Sequence, residues 1–264
     1  MRDPTNIAIA VIRPEGLATA RRLHRAFPEW DLWMPQTSSP TGNEKGYETR
    51  FKVWLQDNFR KYRGFVCFMA AGIVVRALGS LAQDKHSDPG IVVCDEFGRH
   101  AISLLGGHEG GANSLAFQVA STLGAKPVVT TGTESLRPYV LGIGCRKNAG
   151  YEDLERLVSR VLEENNVAPG EIRAVATVDL KKDEPCILKL IKKHEWPLLI
   201  FTREEILASG LNVSRSAFVE ETLGVPGVCE PTALMASHFG ELIVHKTSEH
   251  GCAIALVRET TRRH

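Results

Sequence analysis

Short runs of aliphatic and β-branched residues recur along this chain, each followed by a segment of helical period, and this alternation constrains the fold more than any other feature. Strand-like runs cover 6–12, 30–34, 64–70, 90–94, 101–105 and 127–131. Helical spacing appears between them: Leu17, Ala20, Leu23 and Phe27 share one face, as do Phe51, Trp54, Leu55, Asn58 and Phe59, and then Ile73, Val74, Ala77, Leu78 and Leu81. Pro14 suits a first helical turn, where its missing N–H would have had no partner. Asp95 to Arg99 reads as the turn of a hairpin. The polar stretch 35–46 reads as a loop.

Segment 131–138 is polar, contains Gly and Pro, and reads as a linker, after which the alternation restarts. Strands are expected at 139–143, 172–178, 197–201, 242–246 and 253–258, with helices at 151–164, 183–194, 202–208 and 231–237. Thr202 with Glu205 three residues on has the form of a capping box. The pattern predicts an α/β protein of two α/β domains, 1–137 and 138–264, each a parallel or mixed sheet flanked by helices.

Composition excludes several classes. The 264 residues carry a formal net charge of +1, with no basic stripe of the kind that binds nucleic acid. No apolar run approaches the roughly 18 residues of a membrane span, and no secretory signal opens the chain, so a soluble cytoplasmic protein is expected. None of the six cysteines forms a C-x-x-C pair, which argues against a zinc ribbon or a thioredoxin-type site. Cys67 and Cys94 lie in apolar runs and read as buried free thiols.

Three stretches have the residue types that chemistry needs. In the first, Gly106, Gly107, Gly110 and Gly111 flank His108-Glu109 between a strand and a helix that opens near Asn113. Glycine permits close backbone approach and positive φ, and the helix start offers unpaired amides to an oxyanion. His108 can move a proton near neutral pH. The competing reading is a tight turn whose glycines serve only packing. The second stretch, Gly142-Ile-Gly144-Cys145-Arg146-Lys147, ends a strand and could bind an anion, although it is neither a P-loop nor a dinucleotide fingerprint. Cys145 beside two cations at a helix entrance is either an activated thiol or a small packing residue. The third, Asp179 to Glu184, lies past a strand end, where ligands gather in open α/β sheets; Asp179, Lys181 and Glu184 line such a cleft or form a solvated charge run. Gly72 with Arg76, Lys85, Glu230 and Lys246 are weaker signals, each open to a structural explanation.

At these residues the chain resembles the cobalt-precorrin-5A hydrolase family, known as CbiG. The resemblance runs through Ala70 to Ala77, Asp84-Lys85 with Asp88-Pro89, Val92 to Gly98, Ile102 to Asn113 and Pro127 to Thr131. It continues at Gly142 to Arg146, Val178 to Glu184, Ser214 to Glu220, Gly224-Val225, Val228 to Glu230, Lys246 and Ala253 to Ala255. Family members usually carry a middle region between the halves; here Thr133 leads almost directly through Arg137-Pro138 into the second.

The resemblance implies hydrolysis of the δ-lactone on a cobalt-bound corrin precursor with release of acetaldehyde, in anaerobic cobalamin biosynthesis. It implies His108 as base, with Glu109, and amides from Gly107 to Gly111 steadying an oxyanion. Gly72, Arg76, Lys85, Gly106, Gly107, Gly110, Gly111, Asn113, Gly144, Cys145, Arg146, Asp179, Lys181, Glu184 and Glu230 would contact the substrate. No cofactor and no metal site of the protein's own are expected, because the cobalt belongs to the substrate. The expected partner is that anionic cobalt tetrapyrrole, with a homodimer or transient contact with other cobalamin-pathway enzymes left open. A non-catalytic corrinoid carrier and a nucleotide-binding α/β protein are the rival readings.

Overall fold

A computed structural model describes residues 6–260. The chain divides into two compact units between Thr131 and Gly132.

The first unit runs β1 (Ile7–Val11), α1 (Leu17–Ala26), β2 (Asp31–Pro35), β3 (Lys45–Tyr47), α2 (Phe51–Asn58), β4 (Gly64–Phe68), α3 (Ala71–Leu78), β5 (Gly90–Cys94), β6 (His100–Leu105), α4 (Ala112–Leu123) and β7 (Lys126–Val128). These strands form one sheet in the order β3-β2-β1-β4-β5-β6-β7. The strands from β3 to β5 are parallel, whereas β6 turns back antiparallel to β5 and carries β7 with it. The period of two along a strand explains the layers. In β1, Ile7, Ile9 and Val11 enter one core with Leu17 and Leu23 of α1 and Leu115 and Val119 of α4. Ala8 and Ala10 face the opposite core, with Trp54 and Leu55 of α2 and Val74 and Leu78 of α3. A strand buried on both faces needs apolar residues at every position, which is why it appears as a continuous run.

The second unit runs β8 (Tyr139–Cys145), α5 (Tyr151–Glu164), β9 (Ile172–Val178), α6 (Pro185–His194), β10 (Leu198–Phe201), α7 (Arg203–Ala208), α8 (Ala217–Leu223), α9 (Cys229–Met235), β11 (Gly240–Glu249) and β12 (Cys252–Glu259). The sheet order is β10-β9-β8-β12-β11, with β10, β9 and β8 parallel and β12 and β11 antiparallel. Leu141, Ile143, Val175, Ile254 and Leu256 pack beneath α5 and α6. The other face receives α9, whose Thr232 Oγ1 donates to the Ala176 carbonyl at 3.3 Å and to the Val228 carbonyl at 2.8 Å. Thr202 caps α7 as expected: its hydroxyl accepts from the Glu205 amide at 3.2 Å, and Glu205 Oε2 accepts from the Thr202 amide at 2.7 Å.

The α/β architecture with two mixed sheets matches the expectation from sequence. Two elements were not anticipated. β3 straddles the end of the stretch 35–46 read as a loop and takes Tyr47, which reads from sequence as the start of a helix over 47–62 that in fact begins at Phe51; three residues carry no periodicity. α8 follows Ser216 and ends at Gly224, whose φ of +69° marks a left-handed helix stop. Among the described residues no helix is long and apolar enough to cross a membrane.

Candidate functional site

The His108-Glu109 loop owes its position to the reversal at β6. Leu105 pairs with Ile91, so the chain leaves β6 at the amino-terminal end of β5 and turns there through Gly106 to Gly111. Each glycine has a local reason. Gly106 and Gly111 adopt φ of +66° and +78°. A Cβ on Gly110 would stand 2.8 Å from the Gly106 carbonyl and 3.0 Å from the Gly90 nitrogen, and one on Gly107 would stand 2.8 Å from Asn113 Oδ1. The packing reading therefore accounts for all four glycines.

The start of α4 is not open to a ligand in the way the sequence suggested. The Ala112 amide donates to the Gly106 carbonyl at 3.1 Å and the Asn113 amide to the Gly107 carbonyl at 2.9 Å. The Asn113 side chain is buried, accepting from Ser103 Oγ at 2.8 Å and donating to Thr131 Oγ1 at 2.9 Å. Asn113 thus clamps the loop. The Gly111 amide donates to the His108 carbonyl at 3.3 Å. The amides of Gly107, His108, Glu109 and Gly110 have no acceptor among the described residues and remain the available donors.

His108 and Glu109 are both exposed. Glu109 does not orient His108; its Oε2 lies 3.9 Å from Nδ1 of His86. Sequence reading passed over His86, although it stands between Lys85 and Asp88, both singled out. Asp88 is buried and fixes this segment: its Oδ2 accepts from the amides of Gln83 at 2.8 Å and Asp84 at 3.0 Å, and Arg60 lies 3.0 Å from its Oδ1. The segments bearing Lys85-His86 and His108-Glu109 thus meet, through His86 and Glu109, at the amino-terminal edge of the parallel strands. Gly72 and Arg76 do not join them. They sit on α3, which starts beyond the carboxyl-terminal end of β4, and the Arg76 guanidinium folds back over Gly72. A five-residue strand separates the two edges by roughly 13–16 Å.

The second unit holds a cavity of about 610 Å³ among the ends of β8, β11 and β12, the segment after β9, α8 and the start of α9. Gly144, Cys145, Arg146 and Lys181, all expected from sequence, line it; so do Lys147, Lys246 and His250. Lys181 Nζ donates to Glu184 Oε1 at 2.9 Å, and Glu184 Oε2 accepts from the Asn148 amide at 3.1 Å. Glu184 is buried and sets Lys181 in place without touching the cavity itself. Asp179 accepts from the Leu180 amide at 2.8 Å and shapes the turn after β9.

Glu230 is likewise behind the wall. It is 2% exposed, its Oε1 accepts from the Lys246 amide at 2.8 Å and its Oε2 from the Ser214 amide at 2.6 Å. Burial alone would push its carboxyl up, but these amides and His245 at 3.4 Å outweigh that and hold it below the usual glutamate range. Glu230 pins β11 and the segment before α8 to the start of α9. The glycines of β8 serve the same helix: a Cβ on Gly142 would overlap the Cys229 carbonyl, and one on Gly144 would stand 3.3 Å from Val228 Cβ. Two of the features read as an anion loop are therefore clearance for α9, while Arg146 and its neighbours face the cavity.

Two family models match successive stretches of the chain. "Cobalamin synthesis G N-terminal" matches residues 53–134 and "Cobalamin synthesis G C-terminus" matches residues 139–257. A relative from Sinorhizobium named Protein CobE is 32% identical over 47% of this chain and 82% of its own length. The chain belongs to the CbiG family. Within the family, the cobalt-precorrin-5A hydrolase of Salmonella typhimurium is 28% identical over 96% of this chain and 97% of its own. The cobalt-precorrin-5A hydrolase of Priestia megaterium is 22% identical over 95% and 94%. The Salmonella alignment runs to 348 positions, whereas 96% of 264 residues is about 253, so about 95 positions have no counterpart in this member of the family. Only residues 135–138 separate its two model matches.

Proposed function

We propose that this CbiG-family member is a cobalt-precorrin-5A hydrolase, which opens the δ-lactone of its substrate with water, releases acetaldehyde and yields cobalt-precorrin-5B. The observation that carries this reading is the similarity to relatives of that name over nearly the whole of both chains. The working compartment is the cytoplasm, and the cobalt travels with the substrate, so no cofactor of the protein's own is required.

The chemistry has three needs. Water must lose a proton as it attacks the lactone carbonyl; His108, exposed in the first unit, is the base. The oxyanion that develops needs donors already in place, and the unbonded amides of Gly107 to Gly110 are such donors. Ring opening frees a hydroxyl on the two-carbon bridge; as that hydroxyl becomes the aldehyde, the bond to the macrocycle breaks and the ring keeps the electron pair and takes a proton. Acetate and propionate arms need cations: in the first unit Lys85 stands beside His86, and the second unit's cavity is by itself a place for such acids, lined by Arg146, Lys181 and Lys246. Glu109, next to the base in the chain and 3.9 Å from His86, is the group we assign to the later proton transfer.

The test is acetaldehyde release from cobalt-precorrin-5A by purified protein, with substrate binding followed by its visible absorption. The wild type should release one acetaldehyde per substrate. His108→Ala should lose about 10²- to 10⁴-fold in rate while still binding. Binding by the wild type without acetaldehyde would leave a carrier in place of an enzyme.

A further inference from the structure

Three of the six cysteines meet on one side of the second sheet. Cys145 ends β8 and lines the cavity. Cys252 is its cross-strand partner on β12. Cys186 is the second residue of α6, behind Pro185, and its Sγ lies 3.8 Å from Sγ of Cys145. Among the described residues no group of three or more His, Cys, Asp or Glu side chains is arranged to hold a metal ion, so the cluster is not a metal site.

We propose that Cys145 and Cys186 are a dithiol modification site in the cavity wall, which a small-molecule disulfide oxidant converts reversibly to an intramolecular disulfide. The cavity brings the oxidant to Cys145, while Cys186 is 2% exposed and acts second. The pair is electrostatically uneven. The hydrogen bond with Cys145 and the amide of Ile187 at the start of α6 lower Cys186 to about 7, while the same contact and burial push Cys145 up.

The exchange balances in two steps. With Cys186 as the thiolate, Cys145 sulfur attacks one sulfur of the oxidant as its proton passes to Cys186, and one thiolate leaves. Cys186 sulfur then attacks Cys145 in the mixed disulfide and expels the second thiol, which takes the proton. One S–S bond breaks and one forms; the two protein thiols are oxidised and the oxidant is reduced to two thiols. Drawing the sulfurs from 3.8 Å to the roughly 2.05 Å of a disulfide ties the end of β8 to the start of α6. Arg146 follows one end of that link, and the Lys181–Glu184 pair precedes the other, so oxidation acts on the cavity's cations from both sides.

The readout is thiol chemistry and stands or falls separately from hydrolase activity. The full-length protein is equilibrated with oxidised and reduced glutathione, denatured, alkylated, and its peptides mapped by mass spectrometry. The expected result is a drop from six alkylated cysteines to four, a Cys145–Cys186 cross-linked peptide, and recovery of six with dithiothreitol. Cys186→Ser should stop at a glutathione adduct on Cys145. Six alkylated cysteines across the whole titration, or a Cys145–Cys252 link in the wild type, would overturn the proposal; both are read in the unmutated chain, whatever the variant's folding.

Discussion

The two glycine-bearing segments look alike in sequence and do different things. In Gly106 to Gly111 the glycines let a loop fold onto itself against Pro89 and Gly90, and an exposed imidazole and carboxylate are left at its tip. In Gly142 to Gly144 the glycines lie inside a strand and clear a path for α9. Each arrangement is held by one buried polar side chain. Asn113, a neutral amide between two hydroxyls, holds the first; Glu230, a carboxylate between two backbone amides, holds the second. A glycine cluster therefore reports close backbone approach, and what approaches decides whether the site is a loop or a wall.

The largest effect expected from this contrast is at Gly142. The obstacle there is a backbone carbonyl of α9, which cannot yield unless the helix moves. Gly142→Ala should cost about 3 kcal/mol or more, with loss of hydrogen-exchange protection in peptides of α9 and β8. Glu230→Gln comes next. The amide group turns a donor toward one of two backbone donors, leaving a buried N–H without a partner, at about 2–3 kcal/mol. Urea unfolding followed by exchange in the β11 and α8 peptides checks it; a neutral outcome would mean the carboxylate is not the clamp.

The fold was legible because both sheets are built from strands buried on one or both faces, and burial imposes patterns that a sequence displays. Elements too short for a period, such as β3, leave no such trace. The site was less legible, for three physical reasons. The direction of β6 decides which edge of the sheet receives the His108 loop, and strand direction is a property of pairing, so no reading of the sequence alone separates Gly72 and Arg76 from His108. Whether a polar side chain faces outward or ties down its neighbours is equally invisible in a linear string, as Glu230 with its two backbone amides and Asn113 with its two hydroxyls show. Finally, His86 meets Glu109 only because Asp88 folds the intervening segment back, a contact spanning 23 positions.

The clamps also differ in pH response. The Glu230 carboxyl ionises below its ordinary range when folded, so its contribution is complete above the unfolded value of about 4.3 and is lost as pH falls through the folded value. Asn113 does not titrate. Acidification below about pH 4 should therefore release protection at β11 and α8 in the wild type, and Glu230→Gln should remove that acid sensitivity. Asn113→Ala should cost about 1–2 kcal/mol in the first unit with no change in the acid profile; a changed profile would mean the clamp couples to a titrating neighbour.

The smallest effect is expected at Gly107. A Cβ there meets the methyl of Thr131 and Oδ1 of Asn113, both side-chain atoms that can rotate aside, whereas Gly142 faces a peptide group fixed in a helix. Gly107→Ala should therefore cost only about 1 kcal/mol, read as a small shift in the urea midpoint. It should also weaken the Asn113 to Thr131 hydrogen bond, and the strain should reach the amides beside His108. A cost at Gly107 equal to that at Gly142 would erase the distinction between a loop that adapts and a wall that does not.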